Sequence, residues 1–166
     1  SDPSVSISSS QTICAGGSVT LTSSTSGGTG STSYQWQQSP NGSSGWTNVG
    51  TNSSTYNTGS LSSTRYYRLI YNRTGSGCNQ DVSNVVQITV VSDPTVSISP
   101  TSATICSGGS TTLTASASGG TGSQSYQWQE STTGTGGWSN VGSNSSTYNT
   151  GSLSATRYYR VIRSAS

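Results

Sequence analysis

The sequence predicts an all-β protein made of two β-sandwiches in tandem, and three observations carry that expectation. Apolar residues alternate with polar ones in short runs, which is the period of a strand with one buried face. Turn formers separate the runs, as in "AGG", "TSGGTG", "SPNGSSG" and "NRTGSG". The third observation is repetition: "TYNTGSLSSTRYYRLI" from Thr55 returns as "TYNTGSLSATRYYRVI" from Thr147, with Ser63 replaced by Ala155 and Leu69 by Val161.

Along the first copy, Val5 and Ile7 mark a first strand, and Val19 and Leu21 a second. Tyr34 and Trp36 form a third, Trp46 and Val49 a fourth region, and Tyr56 a fifth. After Leu61 come Tyr67, Leu69 and Tyr71 on a sixth, and Val86, Ile88 and Val90 on a seventh. No stretch carries the apolar stripe of a helix. Seven or so short strands bury their apolar faces as two packed sheets.

The repetition extends over almost the whole chain. "SDPSVSIS" matches "SDPTVSIS", "TICAGGS" matches "TICSGGS", and "SYQWQ" recurs at Ser33 and Ser125. Asp2 and Asp93 stand 91 residues apart, Ile13 and Ile105 stand 92 apart, and the difference is one residue added before "TIC". A period near 92 is too long for a solenoid repeat and suits one whole sandwich. The domains are therefore read as residues 1–91 and 92–166. The second is read as incomplete, because nothing in it corresponds to "DVSNVVQITVV".

Composition limits what these domains do. Only 27% of the 166 residues are hydrophobic, with four Trp and nine Tyr but no Phe or Met, so the core leans on Trp and Tyr. Ser and Thr make up roughly two residues in five, well above ordinary usage. A net charge of +2 and the many aromatic residues argue against disorder. The six basic residues are all Arg, too few and too balanced by acids for a nucleic-acid footprint. No run of about 18 apolar residues spans a membrane. There is no His and no Lys, and the four acids are scattered, so neither paired carboxylates nor a general base beside a Ser is available. The reading is non-enzymatic, with no cofactor and no metal.

The motifs "GGSVTLTSS", "YQW" and Leu61 followed by "RYYR" resemble the immunoglobulin-like superfamily, including its fibronectin-like branch. They resemble more closely the tandem repeats of large secreted Bacteroidetes surface proteins, such as flavobacterial gliding adhesins. The resemblance implies that Trp36 and Trp128 are the buried Trp of the third strand. It also implies that Tyr67 and Tyr159 are tyrosine-corner residues whose hydroxyls return to nearby backbone. Ser23 stands where antibody domains carry a cysteine, so the core is not pinned in that manner.

Against that topology the cysteines Cys14, Cys78 and Cys106 leave three arrangements open. Cys14, in the turn before the second strand, and Cys78, in the last loop, lie at opposite poles, too far apart for a bond within one domain. A bridge between neighbouring domains, an intradomain bridge through another topology, and free thiols all remain. Either bridge implies an extracellular setting.

Trp46 and Trp138 are candidates for stacking on a sugar ring, while burial against the sandwich is the simpler reading in a core this poor in aliphatic residues. The Arg residues beside the paired Tyr are read as a solvated strand face with guanidinium stacking on Tyr. Asn41, Asn52, Asn72 and Asn144 open glycosylation sequons, for which turn formation is the simpler role.

The sequence thus supports a structural and adhesive segment of an extracellular surface protein. It meets neighbouring repeats of the same protein, and surface polysaccharide is a candidate ligand. A carbohydrate-binding module is the second reading. For the missing strand of the second domain the simpler expectation is a position downstream in a longer repeat array; the third reading is instead a filament subunit whose second domain receives a strand from an adjacent subunit, with "PSVSIS" at Pro3 to Ser8 as donor to Arg157 to Ile162.

Overall fold

The computed structural model describes residues 1–75 and 80–165, and over these residues the chain is all-β. It divides into two compact units, Ser1–Val91 and Ser92–Ser166.

Unit 1 contains β1 (Ser4–Ile7), β2 (Gln11–Cys14), β3 (Thr20–Ser26), β4 (Thr32–Ser39), β5 (Thr47–Val49), β6 (Thr55–Asn57), β7 (Arg65–Arg73), β8 (Asp81–Val82) and β9 (Val86–Val91). One sheet has the order β1-β3-β6 and the other β2-β9-β7-β4-β5, with β8 on β7. Strand alternation turns Val5, Ile7 and Leu21 of the first sheet toward Trp36, Tyr67, Leu69, Tyr71, Val86 and Ile88 of the second, forming one core.

A strand was missed at "QTIC". Cys14 ends β2, not a turn, and β2 pairs in parallel with β9, setting Gln11 opposite Ile88 and Cys14 opposite Val91. Only Ile13 gives this segment an apolar face, and its partner lies far along the chain. The Pro3 to Ser8 segment is not a free donor either: Ser4–Ile7 is β1, paired with β3, with Val5 and Ile7 buried.

Aromatic rings bridge the two sheets. Trp36 is fully buried, and its Nε1 donates to the Ser53 carbonyl at 2.9 Å. Its ring stacks at 5.9 Å on Tyr56 of β6, which meets Tyr67 of β7 at 5.8 Å. Three rings thereby fill volume that aliphatic side chains would fill in a less hydroxyl-rich protein. Hydroxyls also enter the interior. Ser39 is buried at the end of β4, where its Oγ accepts from Asn41 and Gly42 N–H and donates to the Ser44 carbonyl. Gly42 holds φ at +75°, and a Cβ there would meet the Tyr66 ring at 2.7 Å, so glycine is required in this loop.

Unit 2 contains β10 (Thr95–Ser99), β11 (Thr112–Ser118), β12 (Gln124–Ser131), β13 (Ser139–Val141), β14 (Thr147–Asn149) and β15 (Tyr158–Ala165). Its sheets run β10-β11-β14 and β13-β12-β15. The aromatic bridge recurs as Trp128 on Tyr148 at 5.8 Å and Tyr148 against Tyr159 at 5.7 Å. Among the described residues β15 is an edge strand, and Thr104–Cys106, the counterpart of most of β2, is not a strand. The core is correspondingly smaller: Leu113, Ala115, Trp128 and Val161 are buried, with Val96, Ile98, Tyr148 and Tyr159 partly covered beside them.

Candidate functional site

The outer face of the sheet that contains β4 in unit 1, and of the sheet that contains β12 in unit 2, carries one polar and aromatic ladder, and strand register explains it. In unit 1, Gln37 of β4 lies opposite Asn48 of β5 on one side and Arg68 of β7 on the other. Inward-facing Trp36, Leu69 and Tyr67 alternate with these three, so the three share the outer face. Arg68 Nε donates to Gln37 Oε1 at 2.9 Å, and Gln37 Nε2 donates to Asn48 Oδ1 at 2.8 Å. Trp46 precedes Asn48 by two residues and so lies on the same face. The Arg68 guanidinium sits 4.2 Å from its ring centroid. Unit 2 repeats the ladder: Arg160 bonds Gln129 at 2.7 Å, Gln129 bonds Asn140 at 2.7 Å, and Arg160 lies 4.4 Å from the Trp138 ring centroid.

Trp46 and Trp138 are therefore half-buried, each with one ring face taken by a guanidinium. A sugar stacking on either ring must use the opposite face. The stacking partner of Arg68 and Arg160 is this Trp and not the neighbouring Tyr, because alternation turns Tyr67 and Tyr159 inward. The ladder was not visible in the sequence, since it depends on the pairing of a three-residue strand with β4.

The tyrosine-corner expectation requires correction. Tyr67 is fully buried, yet its hydroxyl and that of Tyr159 have no hydrogen-bond partner among the described residues. Each ring is directed against a second tyrosine, Tyr56 or Tyr148, and not toward backbone. The Tyr67 hydroxyl is raised to about 12, by burial first and then by Tyr56, with Arg65 opposing. Tyr159 is raised as well, by burial first and then by Glu130 and Tyr148, with Arg157 opposing.

The sequon asparagines serve the fold. Asn52 Oδ1 accepts from Tyr34 N–H at 2.8 Å, and Asn144 Oδ1 accepts from Tyr126 N–H at 2.7 Å. Asn41 Oδ1 closes its turn by accepting from Ser43 and Ser44 N–H, while Asn72 lies within β7 opposite Ser33. Cys14 and Cys106 are free thiols, and Cys78 lies outside the described residues. Among the described residues no three His, Cys, Asp or Glu side chains gather where a metal ion would sit, and no helix is long and apolar enough to cross a membrane.

One feature of unit 1 has no local trace in the sequence. Asp81 Oδ2 accepts from Val5 N–H at 2.8 Å, and Asn84 Oδ1 accepts from Ile7 N–H at 2.9 Å, so side chains flanking β8 clasp the free edge of β1. In unit 2 a groove of about 950 Å³ opens between β10, the Thr104–Cys106 segment and β15.

The strand order β1-β3-β6 against β2-β9-β7-β4-β5, with a buried Trp on β4, is that of an immunoglobulin-like sandwich carrying an extra strand beside β4. The protein is a tandem pair of such sandwiches. It belongs to the family described as "Domain of unknown function (DUF8696)", which matches residues 4–92 and 95–166. Similar solved structures include a Dscam chain from work on isoform specificity, at 15% identity and a TM-score of 0.45, covering 92% of this chain and 39% of that one. The fibronectin(III)-like modules of Clostridium thermocellum CbhA are 13% identical with a TM-score of 0.41, covering 96% of this chain and 85% of that one. This chain thus spans about two fifths of the Dscam chain. No curated protein sequence matches it.

Proposed function

We propose that this chain is a non-enzymatic structural and adhesive segment of an extracellular bacterial surface protein, of the kind found in Bacteroidetes adhesins. The observation that carries this reading is the ladder of Trp, Arg, Gln and Asn written twice in the same register. Side chains bonded to one another across three strands make a stiff, polar, weakly sticky face, and tandem copies multiply weak contacts through avidity. The resemblance of "GGSVTLTSS" and "RYYR" to secreted repeats supports the extracellular setting, as does a surface rich in Ser and Thr.

The test is retention under shear. Beads coated with the chain are expected to stay on polysaccharide-coated glass at flow rates that remove beads coated with an unrelated sandwich domain. Arg68→Ala with Arg160→Ala should reduce that retention. Equal retention of the two bead types would remove the adhesive role, and turnover of the polysaccharide would remove the non-enzymatic one.

A further inference from the structure

The ladder on the outer face has a direction. A guanidinium only donates, so Gln37 turns Oε1 to Arg68 Nε, which leaves Gln37 Nε2 to donate to Asn48 Oδ1. The orientation of both amides is thereby fixed, and each end of the row is a donor. At one end stand the two Nη groups of Arg68, which bond nothing among the described residues and reach solvent. At the other stands Asn48, an exposed residue whose Nδ2 has no partner among the described residues. The row crosses from β7 over β4 to β5, a span of about 10 Å. Unit 2 repeats the same polarity, from Arg160 Nε to Gln129 Oε1 and from Gln129 Nε2 to Asn140 Oδ1, with Arg160 and Asn140 exposed.

No carboxylate neutralises either cation. Of the four acids, Asp2 and Asp93 precede the first strand of their units, and Asp81 is turned to the Val5 N–H of the other sheet. Glu130 follows Gln129 on β12 and so points to the opposite face. Arg73 and Arg163, by contrast, spend their guanidinium groups on the Gly28 and Gly119 carbonyls. Arg68 and Arg160 are clamped by a Trp ring on one face and a Gln at Nε, with the Nη fork left over.

We infer that each row is a binding subsite for an acidic polysaccharide. A ring-borne oxyanion, either a uronate carboxylate or a sulfate ester, takes the fork of Arg68 or Arg160. A hydroxyl or ring oxygen further along the same chain accepts from Asn48 or Asn140 Nδ2. Both oxyanions accept two parallel N–H bonds from a guanidinium, and clamping lowers the ordering cost of binding. The kind of polymer follows from the spacing of charge. One fixed cation among amides suits a hydroxyl-rich chain of modest charge density, whereas a nucleic acid or acidic peptide calls for clustered bases. The assignment rests on the adhesive reading of this face and gives it a ligand class.

The experiment titrates the full chain with oligogalacturonate, a sulfated dextran oligosaccharide, unmodified dextran oligosaccharide and poly-glutamate. Calorimetry gives affinity, and the Arg Nε–H and Asn side-chain amide resonances give location. Saturable binding of at least one acidic sugar is expected, with shifts at Arg68, Asn48, Arg160 and Asn140 and with affinity falling as salt rises. The tighter of the two acidic sugars identifies carboxylate or sulfate as the group recognised. Arg68→Gln with Arg160→Gln should weaken binding at least about tenfold, and Asn48→Ala with Asn140→Ala about two- to fivefold. Arg65→Gln with Arg157→Gln removes the same charge from outside the ladder and should leave affinity within about twofold. Absence of saturable binding overturns the inference, as does equal binding of dextran or an equal loss from the Arg65 and Arg157 pair. Poly-glutamate binding as tightly also overturns it and would assign the face to an acidic polypeptide. Beads held equally under shear on dextran and on polygalacturonate would overturn the ligand class and leave adhesion standing. Oligogalacturonate binding in solution without retention under shear would leave the site standing and remove the adhesive role.

Discussion

Tyr67→Phe isolates the orphaned hydroxyl. The substitution keeps the ring that meets Tyr56 at 5.8 Å and removes an oxygen that is buried with no partner among the described residues. Such an oxygen forfeits its hydration on folding, at a cost of about 1 to 3 kcal/mol when nothing replaces it. The variant is therefore expected to be more stable by about 1 kcal/mol, the low end allowing for relaxation around the ring. For a unit of this size that corresponds to a rise in Tm of about 4 to 8 °C. The assay is denaturant unfolding of the full chain followed by Trp fluorescence, with the unit 1 transition assigned by Trp36→Phe. The alkaline limb supplies an independent readout. The folded hydroxyl is raised to about 12 from an unfolded value of 10.0, so between these pH values the unfolded state loses its proton first. Stability should hold below pH 10 and fall as pH rises toward 12, and Tyr67→Phe should flatten that fall. A loss of about 1 kcal/mol on substitution would mean that the hydroxyl is bonded, as in a tyrosine corner, and would refute the reasoning.

Three further outcomes follow. Trp36→Ala removes the ring that joins the sheets and a buried N–H bond, and should destabilise unit 1 by about 3 to 5 kcal/mol in the same unfolding assay. Arg68→Ala removes the guanidinium from Trp46 and a hydrogen bond to Gln37, and should cost about 1 kcal/mol with a red shift of Trp46 emission. Cys106, exposed and outside any strand, should react with a thiol reagent faster than Cys14, which is half-covered at the end of β2; equal rates in the native chain would contradict the β2 pairing.

The parts of this architecture legible in the sequence are those whose signal is local. Tyr34 and Trp36, Tyr67 to Tyr71, and Val86 to Val90 alternate along their own strands, and each falls within a long strand of unit 1. β2 left no such trace, since "QTIC" becomes a strand only through parallel pairing with a segment at the other end of the unit. The ladder escaped for a related reason. Nothing near Trp46 names Arg68 as its neighbour until β5 is set against β4 and β4 against β7. The Tyr67 hydroxyl departs from the tyrosine-corner expectation because a family position fixes the ring's place on its strand but not the partner of its hydroxyl, and here the ring meets Tyr56 with the hydroxyl unbonded.

The clasp between β1 and the β8 region imposes an order on how unit 1 is made. Val5 and Asp81 are 76 residues apart, and Ile7 and Asn84 are 77 apart, so the unit's first strand is secured by nearly its last. At ordinary elongation rates that gap lasts on the order of 4 to 15 s. Nascent chains arrested before Asp81 should therefore be cut readily by protease around β1, while those arrested well beyond Val91 should resist. During that interval the polypeptide carries an open strand edge, and its scarcity of aliphatic residues then acts as protection against association with other unfinished chains.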